Sequence, residues 1–65
     1  MWTVVYIAQS TLEAEKISNA LRDNGVLVKL KQIGQSKGSK AIYEVMVPRT
    51  EVEDASMVLT SMAYL

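Results

Sequence analysis

Four lysines, Lys29, Lys31, Lys37 and Lys40, fall within twelve residues of one another, and the last two stand in the run Ile33-Gly-Gln-Ser-Lys-Gly-Ser-Lys40. Small residues that expose backbone N–H groups, two hydroxyls and several ammonium groups are the ingredients of an anion cradle, of the kind that holds a phosphate. The run joins two strand-like segments, whereas a P-loop leads from a strand into a helix, and GxxxxGK[ST] does not occur. A solvated hairpin is therefore the plain reading. Lys29, Lys31, Lys37 and Lys40 are the candidate anion-binding residues of the alternative, a sensor of an anionic metabolite or nucleotide.

A second cluster is acidic. Glu51, Glu53 and Asp54 lie close in sequence, and paired carboxylates can exchange a proton or hold a hard cation. They also fall in the first turn of a predicted helix, where the helix dipole favours negative charge, and that is how they read. Tyr6, Tyr43 and Tyr64 have no neighbour in the sequence that would activate them, and strand tyrosines usually pack with the hydroxyl at the edge. With neither His nor Cys, histidine triads, thiol nucleophiles and most zinc sites are excluded. The expectation is a non-enzymatic chain with no catalytic, metal or cofactor-binding residue.

The elements that must position these groups announce themselves by their punctuation. Ser10-Thr11-Leu12-Glu13 and Thr50-Glu51-Val52-Glu53 each follow a β-rich apolar run and have the form of a capping box, which marks a helix start. Residues 2 to 8, Trp-Thr-Val-Val-Tyr-Ile-Ala, read as a strand covered on both faces. A helical stripe of Ala14, Ile17 and Leu21, with Ala20 beside it, follows, and Asn24-Gly25 ends it. Strand two is predicted from Val26 to Ile33, with Val26, Val28 and Leu30 on one face and Leu27, Lys29, Lys31 and Ile33 on the other. After a polar connection over Gly34 to Lys40, strand three runs from Ala41 to Val47 and sets Tyr43, Val45 and Val47 against Ile42, Glu44 and Met46. The inward stripe of the last helix is Val52, Ala55, Leu59 and Met62, leaving Met57, Val58, Tyr64 and Leu65 outside it.

The order is βαββα over residues 1 to 65, a single α+β domain. Connection rules make strands one and two parallel through a right-handed crossover and strands two and three a hairpin, giving a ferredoxin-like domain that lacks its fourth strand. The expected sheet order is 2-3-1, with both helices on one face. The other face then shows Leu27, Ile33, Ile42 and Met46 together with either the Trp2, Val4 and Tyr6 set or the Val5 and Ile7 set of strand one. A contiguous apolar patch of this sort marks a protein interface. Trp2, Val4, Tyr6, Leu27, Ile33, Ile42 and Met46 are accordingly the candidate oligomer-interface residues. Strand one also has an open edge free of Lys, Glu and Pro, which invites pairing with a second subunit, or covering by the tail Ala63-Tyr64-Leu65.

Size and charge point the same way. A chain of 65 residues has a marginal core, and domains of this size are supplemented by disulfides, metals or association; without Cys or His, association is the one left. A homo-oligomer is expected, a dimer before larger assemblies, alongside an unidentified protein partner. Seven basic residues balance seven acidic ones, so no field draws the chain to nucleic acid or an anionic membrane. No stretch reaches a membrane span, and Met1-Trp2-Thr3 lacks the basic start of a secretory signal, which makes the cytoplasm the expected compartment.

Met1-Trp-Thr-Val-Val-Tyr-Ile-Ala, the helix end Ala20-Leu21-Arg-Asp-Asn-Gly25, Leu27-Val28-Lys29 and Tyr43-Glu44-Val45-Met46-Val47-Pro48 resemble a family of small prokaryotic signal-transducing proteins, grouped by fold with the nitrogen-regulatory PII-like proteins. The resemblance covers almost the whole chain. It implies a regulatory role, and it places the Gly34 to Lys40 connection where PII-like regulators carry a far longer loop for partners and nucleotides.

Overall fold

The computed structural model describes residues 1–36 and 40–64. Strand β1 spans Trp2–Ala8, helix α1 Thr11–Asp23, β2 Lys29–Ser36, β3 Lys40–Pro48 and helix α2 Val52–Ser61, with one 3-10 turn at Arg49–Glu51. The three strands form one sheet in the order β1-β3-β2, and β3 runs antiparallel to both neighbours. The result is a small α+β fold with the predicted strand order. Buried side chains of both helices, Ile17 and Leu21 from α1 and Ala55, Val58 and Leu59 from α2, join Val45 and Val47 of β3 in one core. Both helices thus cover the same face of the sheet.

The start of α1 is a capping box with a longer reach than its sequence form. Ser10 Oγ accepts from the Glu13 N–H at 3.1 Å, and Glu13 Oε1 accepts from Gln9 N–H at 2.9 Å, one residue further back than the cap itself. At its end Gly25 takes φ +76°, and the Val26 N–H reaches back to the Leu21 carbonyl at 3.0 Å while Gly25 N–H bonds to Arg22 at 2.9 Å. These two bonds define a Schellman closure. They also displace strand two. Val26 was expected to open it, but its N–H is committed to the helix, and the Leu27 N–H donates to Glu51 Oε1 at 3.3 Å, so neither joins a ladder and β2 begins at Lys29. At the other end the strand runs on to Ser36, which pairs with Lys40, so most of the expected Gly34 to Lys40 loop is hairpin ladder.

The second capping box does not form. Residues 49–51 make the 3-10 turn, α2 starts at Val52, and neither cap position is bonded by a side chain. The Arg49 N–H is tied to the Met1 carbonyl at 2.8 Å, and the Glu51 carboxylate is used on Leu27. Within α2, Val58 lies inside the core and not outside the stripe, while Val52 and Met62 pack at its margin. Leu65 lies outside the described residues.

Helix α2 closes with a second Schellman pair, Tyr64 N–H to Leu59 at 2.9 Å and Ala63 N–H to Thr60 at 3.0 Å, but here alanine holds the left-handed position at φ 64°. The closure delivers the Tyr64 ring onto Tyr6, edge to face at 5.3 Å between centroids. An alanine there carries about 1–2 kcal/mol of steric cost that glycine avoids, partly offset by glycine's freer unfolded chain. Ala63→Gly is expected to stabilise by about 0.5–1 kcal/mol and to raise Tm by several degrees. A thermal melt in which the variant unfolds no later than the parent refutes this.

One polar group is stranded in the core. Ser18 is buried on α1, and its hydroxyl has no hydrogen-bond partner among the described residues. An unsatisfied buried hydroxyl costs about 1–3 kcal/mol, and serine is also the poorer helix former. Ser18→Ala is therefore expected to stabilise by about 1 kcal/mol, read as a higher urea midpoint at unchanged slope; a lower midpoint means the hydroxyl has a partner in solution.

Candidate interaction surface

Register decides which side chains share the face away from the helices. Residues directly opposite each other across an antiparallel ladder point the same way. The core-facing Val45 and Val47 oppose Tyr6 and Thr3, whereas Met46 opposes Val4 and Lys29, Glu44 opposes Ile7 and Lys31, and Pro48 opposes Trp2. The outer face therefore carries Trp2, Val4 and Ile7 along β1, Ile42, Glu44, Met46 and Pro48 along β3, and Lys29 and Lys31 along β2.

Neither expected β1 set is intact, because β1 contains a β-bulge, and the other edge strand, β2, contains one as well. Between Val4 and Tyr6 the register slips by one, so Val5 and Tyr6 together oppose Val45 and both pack against the core. Between Gln32 and Gly34 a second slip leaves Ile33 and Gly34 opposite Ile42. The first bulge corrects the interface set: Tyr6 turns to the helix side, and Ile7, which strict alternation would have grouped with Val5, joins Trp2 and Val4 outside. Leu27 is exposed but precedes β2 and stands apart from the ladder. Trp2, Val4, Ile7 and Ile33 remain between 38 and 47% exposed, with Ile42 and Met46 half-buried between the edge strands.

The three described lysines do not converge on one point. Lys29 reaches across the middle strand, its Nζ 5.6 Å from the Trp2 ring centroid, close enough for a cation–π contact. Lys31 stands opposite Glu44, and Lys40 opposite Ser36, four residues further along β3, about 13 Å away at the usual rise per residue. Lys37 lies outside the described residues. Two shallow clefts lie elsewhere. One, about 400 Å³, is lined by Asn24, Val26, Asp54, Met57, Val58 and Ser61. The other, about 610 Å³, sits at the start of α2, with Arg49, Glu53 and Asp54 among its lining residues. None of the described candidate lysines lines either cleft.

Part of the remaining candidate chemistry is taken up by structure. Glu51 holds the Leu27 N–H, and among the described residues no three of His, Cys, Asp or Glu are gathered to hold a metal. Burial, with lesser contributions from Glu13 and Tyr64, holds the Tyr6 hydroxyl above its ordinary pKa. Tyr43 Oη accepts from Thr11 Oγ1 at 3.2 Å and ties β3 to the start of α1. Among the described residues no helix is long and apolar enough to cross a membrane. Comparison of the chain with protein-family models, with curated proteins and with solved structures finds no match.

Proposed function

We propose that this chain is a non-enzymatic regulatory module of the cytoplasm that works by protein–protein contact and self-associates through its sheet. Its element order and sheet order suit a ferredoxin-like domain without the fourth strand, and we assign it to the PII-like group on the sequence resemblance. The observation that carries the reading is the exposed apolar set Trp2, Val4, Ile7 and Ile33 on a sheet face that no element of the described chain covers. An uncovered patch of this kind marks an interface more often than it marks idle surface. A core this small also gains from any association that buries more apolar area.

An anion sensor at the β2–β3 hairpin draws less support. Lys29 is engaged by Trp2, and Lys40 sits four residues along β3 from the residue opposite Lys31, about 13 Å away. Light scattering behind size exclusion tests the favoured reading: the expected mass is twice 7.2 kDa in the micromolar range. A monomer that persists to high micromolar concentration sinks it.

A further inference from the structure

The cleft of about 400 Å³ between the end of α1 and the flank of α2 combines an apolar floor with polar side chains left to accept hydrogen bonds. We propose that it binds a linear aliphatic diamine or polyamine, with the methylene chain on the floor and a nitrogen at each end. The site is separate from the outer sheet face and does not depend on self-association.

Asp54, Met57, Val58 and Ser61 stand at i, i+3, i+4 and i+7 along α2, so they share one helix face about 10 Å long, with Asp54 at one end and Ser61 at the other. Val58 and Val26 are buried and give the cleft its floor, while the exposed thioether of Met57 forms an adaptable wall. A methylene chain can lie along such a surface with its charged ends in water.

Hydrogen-bond accounting sets the chemistry of those ends. Asn24 Nδ2 donates to the Ala20 carbonyl at 2.8 Å, which turns the amide nitrogen back onto α1 and leaves Oδ1 to accept. Ser61 Oγ spends its one proton on the Val58 carbonyl at 2.9 Å and keeps its lone pairs. The Asp54 carboxylate has no hydrogen-bond or ion-pair partner among the described residues, and neither Lys nor Arg lines the cleft. Donors and positive charge are what the site lacks. The carbonyl ends of both helices add to the demand, since Asn24 caps α1 and Ser61 is the last residue of α2. A helix C-terminus favours a cation, and α2 has no basic residue in its last turn. A carboxylate or phosphate would meet acceptors and negative potential, whereas an ammonium brings three donors and no acceptor.

Titration of the full chain with hexamethylenediamine at low salt, followed by amide shifts at one fixed protein concentration, tests the site without altering association. Saturable binding is expected, with shifts gathered at residues 24–26 and 54–61. Hexylamine, with the same chain and one ammonium, is expected to bind about threefold or more weakly, and hexanoate not to bind. Asp54→Asn is expected to weaken the diamine by about threefold or more. Glu53→Gln removes the same charge from the same turn of α2 but does not line this cleft, and it is expected to bind as the parent does. Equal affinity for the diamine and hexylamine, an equal response to hexanoate, equal losses in the two variants, or shifts spread over other acidic residues overturn the proposal. An unchanged spectrum at saturating diamine does the same, and each of these results leaves the self-association reading standing.

Discussion

Leu59→Ala is expected to remove about 2–5 kcal/mol of stability and to leave much of the chain unfolded at ambient temperature. Leu59 is fully buried between α2 and the sheet, and its carbonyl is also the acceptor for the Tyr64 N–H that closes the helix. The side-chain truncation leaves a cavity where α2 meets β3, and the neighbours cannot collapse into it without moving the helix. At roughly 0.05–0.15 kcal/mol per residue, a chain of 65 residues has about 3–10 kcal/mol in total, so one such cavity takes a large share of it. Met57→Ala on the same helix is the control: Met57 is 71% exposed, and its loss is expected to cost no more than about 0.5 kcal/mol. Urea titrations at matched protein concentration decide the matter, because association makes apparent stability depend on concentration. A Leu59→Ala midpoint within error of the Met57→Ala midpoint rejects the described core.

The features read correctly from sequence are those in which one residue type has one physical use. The alternation of Tyr43, Val45 and Val47 with Ile42, Glu44 and Met46 survives in β3 because a central strand, paired on both sides, has no freedom to slip. Gly25 ended α1 because the left-handed position it fills is strained for any other L-residue except, less severely, asparagine and aspartate. What escaped was decided by groups that every residue carries. The backbone N–H of Val26 closes α1 instead of opening β2, and the backbone N–H of Leu27 donates to the Glu51 carboxylate. Ala63 takes the left-handed position with no side-chain signal at all.

The candidate surface was legible in part for the same reason. Trp2, Val4, Ile42 and Met46 share the outer face, and Ile33 flanks it at the β2 bulge. Tyr6 departs and Ile7 arrives because a bulge is a backbone event that Val4-Val5-Tyr6, all good strand formers, does not announce. Of the described lysines, Lys29 and Lys31 stay neighbours on one face of β2, while Lys40 lies four residues along β3 from the partner of Lys31, because a strand separates its members by about 3.3 Å per residue.

Deleting Val5 is expected to keep the fold and to change its associations. The pairs Val4 with Met46 and Tyr6 with Val45 already flank the bulge, so removing the residue between them restores a regular ladder and leaves every other β1 side chain on its present face. The loss of one half-buried valine costs about 1 kcal/mol. The gain is a straight, uncharged edge from Trp2 to Ala8, the kind of strand that pairs readily with another chain. If the parent associates by its faces and the bulge guards the edge, the deletion adds a second contact to the first, and two different self-contacts on one chain no longer close into a dimer. The mass by light scattering is then expected to rise above that of the parent at equal concentration and to keep rising as concentration increases, with the far-UV spectrum preserved or more β-rich. A deletion variant with the parent's mass and spectrum shows that the bulge does not guard this edge.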